Sequence, residues 1–128
     1  MANIRHTVVV RKDLMLSSGL LAAQVAHISD QFMRIKLLSK VEKYAQFTPE
    51  ELEWLEQPYL SVLAVNCAED LETIKTKAYE QELPCFVWED VIPSPTFENT
   101  SIKAVVGVSI GPADFDKIKM VTGALKLY

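Results

Sequence analysis

The stretch VVVRKDLMLSSGLLAAQVAH, residues 8–27, joins an apolar run to a segment with helical periodicity. The run begins at Ile4, ends at Arg11 and is rich in β-branched residues, which predicts a buried strand. From Ser18 to about Lys43, apolar residues recur at helical spacing, and alanines among them allow close packing on a sheet. A strand that passes through a short turn into a helix indicates an α/β fold.

Similar patterns follow along the chain. The predicted strands cover residues 4–11, 59–65, 84–90 and 102–109. Thr48 and Glu51 form a capping box around Pro49, which predicts a helix start. Further helices are expected after residue 66 and from Gly111, where Pro112 suits a first helical turn. The prolines and polar residues of positions 91–101 predict a loop.

These elements predict a single-domain α/β sandwich. Its order is β-α-α-β-α-β-β-α, with a four-stranded mixed sheet flanked by helices. Helical crossovers imply parallel strand pairs, whereas the third and fourth strands can pair antiparallel across their loop.

The composition excludes several classes of protein. The chain has 128 residues, of which 49% are hydrophobic, and its mean hydropathy is +0.11, typical of a compact globular domain. The N-terminal apolar run is too short for a signal peptide or a membrane span, so we expect a cytoplasmic protein without membrane contact. Cys67 and Cys85 form no CxxC or Cys/His cluster, which predicts reduced thiols and no metal site.

The charge is uneven along the chain. The net charge is −4, yet residues 1–43 hold seven Lys or Arg against three acids, and residues 44–128 hold six against fourteen. A local basic face can bind a polyanion even on an acidic protein. The same charges are also typical of solvated helix and strand ends, and both interpretations remain open.

Polar residues follow the predicted strands at their carboxyl ends, where α/β sheets bind ligands. Arg11 and Lys12 follow the first strand, and Glu89 and Asp90 end the third. Asp90 can act as a general base, or it can cap the turn that follows it. Because strand side chains alternate, Glu89 is expected to point to the opposite face.

Gln24 and His27 form a polar stripe on the otherwise apolar first helix. The stripe is either a surface edge, with His27 a partly buried neutral imidazole, or a contact in which Gln24 orients a substrate amide or ribose near Asp90. The chain contains no glycine-rich phosphate loop, serine-nucleophile elbow or HExxH motif.

Two segments resemble a known family. The stretch VVVRKDLMLSSGLLAAQVAH and the ending GPADFDKIKMVTGALKLY, residues 111–128, are similar to the first and last segments of the type II peptidyl-tRNA hydrolases of archaea and eukaryotes. The resemblance implies one peptidyl-tRNA-hydrolase-II-like domain over residues 1–128. It also implies tRNA as a partner, hydrolysis of the ester between peptide and tRNA without metal or cofactor, and often a homodimer.

The resemblance also implies roles for individual residues. Asp90 matches the family's strand-end aspartate and is expected to poise a water, and Asp114 matches an acid of the closing segment with a capping role. The expected catalytic residues are Asp90, Gln24 and Thr96, with Thr96 holding the ester and its oxyanion. The expected tRNA contacts are Arg11, Lys12, Ser18 and His27.

The chain departs from the family at its first turn. Ser18 and Leu20 stand where the family has two lysines around a glycine. Two hypotheses follow: an active, diverged peptidyl-tRNA hydrolase, or a catalytically diverged member of the same fold that acts as a binding or interaction module.

Overall fold

Strand β1, Ile4–Arg11, lies at the centre of a five-stranded sheet in the computed structural model, which describes residues 3–42 and 46–128. Two strands lie on each side of it in the sheet. Three consecutive valines at positions 8–10 are fully buried because both faces of the sheet are covered. The predicted buried strand is therefore confirmed, with the bounds expected.

The other strands show a mixed sheet with one strand more than predicted. They are β2 Leu60–Val65, β3 Cys85–Pro93, β4 Ser101–Asp114 and β5 Lys126–Leu127. β1 pairs parallel with β2, whereas the β1–β4, β3–β4 and β2–β5 pairs are antiparallel. The predicted number of four strands was wrong, because the two residues of β5 are too few to show the alternation that predicts a strand.

Helices cover both faces of the sheet. They are α1 Ser18–Leu38, α2 Pro49–Glu56, α3 Ala68–Glu80 and α4 Phe115–Thr122, and a short 3-10 turn covers Lys12–Leu14. Ile28 of α1 packs on Val8 and Val10, whereas Leu71 of α3 and Ile118 of α4 pack with Val9. In the part of the chain that the structure describes, no helix has the length and hydrophobicity needed to cross a bilayer.

The capping box that begins α2 is formed as predicted. The Thr48 hydroxyl accepts a hydrogen bond from the Glu51 backbone N–H at 3.1 Å, and a Glu51 carboxylate oxygen accepts one from the Thr48 backbone N–H at 2.7 Å. Lys36 of α1 lies 3.3 Å from the same carboxylate and ties the two helices together. Helix α1 ends at Leu38, before the predicted end at Lys43, a residue outside the described ranges.

The third strand is longer than predicted. β3 continues through Asp90 to Pro93 and β4 begins at Ser101, so the expected loop of residues 91–101 is only a turn of residues 94–100. β3 is an edge strand and Pro93 is its last residue, a position where a proline needs no ladder donor. Asp90 consequently lies within the strand and not at its end.

The segment Gly111–Asp114 is a strand and not the first turn of a helix. Asp114 pairs with Ile4 and Ala113 with Arg5, so pairing with β1 overrides the local helix-start signals. The last helix begins at Phe115, and Asp114 occupies its N-cap position without a side-chain hydrogen bond. The capping contact expected of Asp114 is therefore not formed.

Gly107 lets helix α1 approach the sheet closely. It pairs with Trp88 across β3 and β4, and a Cβ atom there would lie 2.5 Å from the Val9 carbonyl oxygen and 3.0 Å from the Ile28 Cδ1. Ile28 stands one helical turn beyond Gln24. The glycine therefore sets the distance at which α1, and Gln24 with it, meets the third strand.

His6 is buried in an aromatic cluster between α1 and α2. Its ring makes edge contacts with Phe32 and Trp54, with centroids 5.2 and 5.0 Å away. Among the described residues, neither ring nitrogen has a hydrogen-bond partner. Burial lowers the pKa of His6 from 6.5 to about 4, so the ring is neutral at physiological pH.

His6 is predicted to make the protein acid-sensitive. Between pH 6.5 and about 4, His6 is protonated in the unfolded chain but neutral in the folded chain. The free energy of unfolding therefore falls as the pH drops through this range, by about 3 kcal/mol in total. Urea denaturation at a series of pH values should show this loss. The loss should be absent in His6→Leu and retained in His27→Gln, which alters an exposed histidine. An equal loss in His6→Leu and the unmodified protein contradicts the assignment.

Candidate active site

Gln24 is a buried amide that joins helix α1 to strand β3. Its Nε2 donates to the Asp90 Oδ2 at 2.9 Å, and its Oε1 accepts from the Trp88 Nε1 at 2.6 Å. An indole N–H can only donate, so it must meet the amide oxygen and turn the amide nitrogen towards the carboxylate. Only 3% of Gln24 is exposed, and both ends of its amide are satisfied.

The local sequence explains why these three side chains meet. Trp88 and Asp90 are two residues apart on β3 and therefore point to the same face of the sheet. That face is covered by α1, since Trp88 packs against the cluster that contains Ile28. Gln24 lies one turn before Ile28 on the same side of the helix. The predicted proximity of Gln24 to Asp90 is thus present in the structure, as a direct contact.

Asp90 is a half-exposed carboxylate with fixed geometry. Its Oδ1 accepts from the backbone N–H of Val91 at 2.8 Å, while Oδ2 faces Gln24. Two hydrogen bonds hold the pKa of Asp90 below its usual value: the larger effect comes from the Gln24 amide and the smaller from the Val91 backbone N–H. Asp90 therefore remains ionised at neutral pH, and its exposed part can accept a hydrogen bond from water.

The neighbouring acid belongs to a different environment. Glu89 lies 3.1 Å from Lys103 in an exposed ion pair, and the two side chains extend from adjacent strands. Asp90 instead contacts α1 on the face of the sheet that Trp88 shares. Alternation along β3 separates the two carboxylates as expected, which leaves Asp90 as the acid of this site.

His27 is exposed and stacks on Trp88. The two ring centroids are 5.2 Å apart, with 23° between the ring planes. The Cζ of Arg34 lies 5.3 Å from the centroid of the same indole. The interpretation of His27 as a partly buried imidazole was wrong, because the ring packs on the outside of the indole and not beneath the helix.

Three of the residues expected to contact tRNA lie apart from the Gln24–Asp90 pair. Arg11 binds both carboxylate oxygens of Asp13, at 2.8 and 3.1 Å, and this contact raises its pKa. Lys12 lines a cleft of about 550 Å³ that also includes Asn66 and Lys126. Ser18 is exposed at the start of α1. No hydrogen bond within residues 3–42 and 46–128 joins Arg11, Lys12 or Ser18 to the Gln24–Asp90 pair.

Thr96 is not brought to the carboxylate. It is exposed in the turn of residues 94–100, and its Oγ1 lies 3.2 Å from the Ser94 hydroxyl. The strand continues for three residues beyond Asp90, which carries the chain about 10 Å further before the turn begins. The hydroxyl therefore has its contacts within the turn itself.

Two residues of the site were missed from the sequence. Trp88 could have been predicted, because it precedes Asp90 by two residues in the strand and therefore lies on the same face. The evidence for Arg34 in the sequence was weaker: it lies seven residues beyond His27, which places it two turns along the same side of α1.

Metal-ligating side chains do not cluster in the described part of the chain. Asp90 faces an amide nitrogen, a donor that cannot bind a cation. Cys67 and Cys85 are free, and no group of three His, Cys, Asp or Glu residues is placed to hold a metal ion within the described ranges.

The sequence matches a known family of proteins over nearly its whole length. Residues 4–128 match the family model described as "Peptidyl-tRNA hydrolase PTH2". The chain therefore belongs to the PTH2 family of peptidyl-tRNA hydrolases, and the predicted family is confirmed.

Relatives support the same assignment over nearly the whole chain. A protein named peptidyl-tRNA hydrolase from Aeropyrum pernix is 32% identical, covering 97% of this chain and 95% of its own. One of the same name from Methanocaldococcus jannaschii is 31% identical, with 97% and 99% covered. A solved protein of unknown function from Agrobacterium tumefaciens shares the fold at a TM-score of 0.60 and 17% identity, with 100% and 99% covered.

The Gln24 contact should be measurable in the ionisation of Asp90. Replacing Gln24 by Met keeps the chain length but removes the amide donor, so the pKa of Asp90 should rise towards its ordinary value. An NMR titration of the Asp90 carboxyl carbon measures this change. Gln31→Met is the control, because the Gln31 amide donates to the Val87 carbonyl and not to Asp90. A pKa of Asp90 that does not move in Gln24→Met contradicts the assigned contact.

Proposed function

We propose that this chain hydrolyses the ester that joins a peptide to the 3′ ribose of tRNA. Its membership of the PTH2 family supports this activity, and so do the names of its relatives. The observation that carries the proposal is the Gln24–Asp90 hydrogen bond, which holds an ionised carboxylate at the surface of the domain. We further propose that residues 1–128 act as a single domain and that the reaction uses no metal.

Asp90 acts on the attacking water. Its carboxylate accepts a hydrogen bond from the water, orients a lone pair towards the ester carbonyl carbon, and takes the proton as the carbon–oxygen bond forms. When the tetrahedral intermediate collapses, the bond to the ribose 3′ oxygen breaks, and the proton held by Asp90 passes to this oxygen. A carboxylate with a lowered pKa holds a proton weakly, so Asp90 returns to its ionised state after each cycle.

Gln24 is a positioning residue for Asp90. Its amide cannot rotate without breaking the hydrogen bond from the Trp88 indole, so the carboxylate oxygen Oδ2 has a fixed direction. A fixed direction reduces the reorganisation needed to reach the transition state. Gln24 therefore acts on the reaction through Asp90.

The site works without the lysines that the family resemblance led us to expect. Ser18 and the half-buried Leu20 occupy those positions. The first turn of α1 contains no acid, and the Ser17 side chain does not cap it, so its backbone N–H groups are available to a phosphate. We assign tRNA phosphate contacts to this helix end together with Ser18, Arg11 and Lys12, and a contact with the tRNA 3′ end to His27. Thr96 lies in the turn beyond β3 with its hydroxyl beside that of Ser94, and we assign it no contact with the ester.

The alternative of a binding or interaction module is not favoured by the relatives, which carry the name of an enzyme. The Gln24–Asp90 contact also favours the enzyme, since it leaves a carboxylate of fixed direction and lowered pKa partly open to solvent.

Asp90→Asn tests the proposed role. The change keeps the size of the side chain and removes its charge and its basicity, so turnover of peptidyl-tRNA should fall by about 10²–10⁴-fold. The release of free tRNA, followed in a buffer with EDTA, measures the rate. Glu89→Gln is the matched control: it neutralises the adjacent acid on the opposite face and should retain full activity. Equal activity in Asp90→Asn and the unmodified protein removes Asp90 from the mechanism.

A further inference from the structure

Three planar groups lie together beside the Gln24–Asp90 pair. The indole of Trp88 is half-buried against the core, and the exposed imidazole of His27 stacks on it at 5.2 Å. The guanidinium of Arg34 lies 5.3 Å from the centre of the same indole. We call these three side chains the stacking surface.

The stacking surface is held in place by further contacts. The Arg34 Nε donates to the Asp30 carboxylate at 3.0 Å, and its Nη2 donates to the His27 carbonyl at 3.3 Å. The Trp88 N–H is fixed by Gln24, as described above. The planar groups are therefore ordered before any ligand binds, which reduces the entropy lost on binding.

We propose that the stacking surface binds the unpaired bases at the 3′ end of tRNA, with the terminal base continuing the stack on the outer face of His27. The inference rests on the proposed function, and it adds a base-binding site to it. Proteins recognise single-stranded RNA by stacking its unpaired bases on aromatic rings and arginine planes. An exposed imidazole already stacked on an indole presents such a plane.

The stacking surface lies close enough to Asp90 for one nucleotide to reach both. Trp88 and Asp90 are neighbours on one face of β3, about 7 Å apart along the strand. The scissile ester is attached to the ribose of the last nucleotide, whose base is only a few bonds away. A base held at His27 and Trp88 therefore brings its own ribose ester to Asp90.

The charge distribution favours stacking over ionic attraction at this point. Arg34 is paired with Asp30, and the whole chain carries a net charge of −4. The contribution of the stacking surface to the affinity should consequently depend little on salt, in contrast to the phosphate contacts.

The test is binding of deacylated tRNA, which requires no hydrolysis. The unmodified protein should bind intact tRNA about tenfold more tightly than tRNA that lacks its last three nucleotides, the effect expected of one stacked base. His27→Ala should bind both RNAs with the affinity that the unmodified protein has for the shortened tRNA. His27→Phe, which restores a flat ring, should recover the preference for the intact end.

The control and the opposing result separate this inference from the proposed function. Tyr79→Ala removes an exposed aromatic side chain from α3, on the other face of the sheet, and should leave the preference unchanged. The proposal that the stacking surface binds the 3′-end bases is contradicted if the unmodified protein binds both RNAs equally, or if His27→Ala retains the preference. Either result contradicts it even when peptidyl-tRNA is hydrolysed. A preserved preference without hydrolysis instead overturns the proposed function and leaves this inference standing.

Discussion

The hydrogen bond from the Trp88 indole to the Gln24 amide determines the geometry of the whole site. Because the indole can only donate, the amide oxygen must face it, and the amide nitrogen must then face Asp90. The same bond holds the indole where His27 stacks on it. One donor in β3 thus orients the carboxylate and supports the aromatic surface beside it.

Two buried polar residues on the α1 side of the molecule differ in whether their polar atoms have hydrogen-bond partners. Gln24 has a partner for each end of its amide, and we interpret its burial as the means of positioning Asp90. His6 is equally buried, but within the described chain neither of its ring nitrogens has a partner. An unpaired buried polar group is destabilising, typically by about 1–3 kcal/mol. The chain therefore tolerates a cost at His6 that nothing in the site explains.

Sequence patterns predicted the elements whose signals are local. β1 and the Thr48 capping box are formed as expected, since a β-branched run and a cap need no distant partner. Residues 111–114 were predicted wrongly because pairing with β1, more than a hundred positions away, overrides their helix signals. In the site, Gln24 and Asp90 were predictable from helix spacing and position in the strand. Trp88 was missed because apolar residues in strands usually indicate core alone.

A double-mutant cycle tests the central claim, that Gln24 serves the reaction only by holding Asp90. The rate of peptidyl-tRNA hydrolysis is measured at saturating substrate for the unmodified protein, Gln24→Met, Asp90→Asn and the double variant. If Gln24 acts through Asp90, Gln24→Met slows the unmodified protein about tenfold but slows the Asp90→Asn variant no further. If Gln24→Met slows both backgrounds by the same factor, the two residues act independently and the account is contradicted.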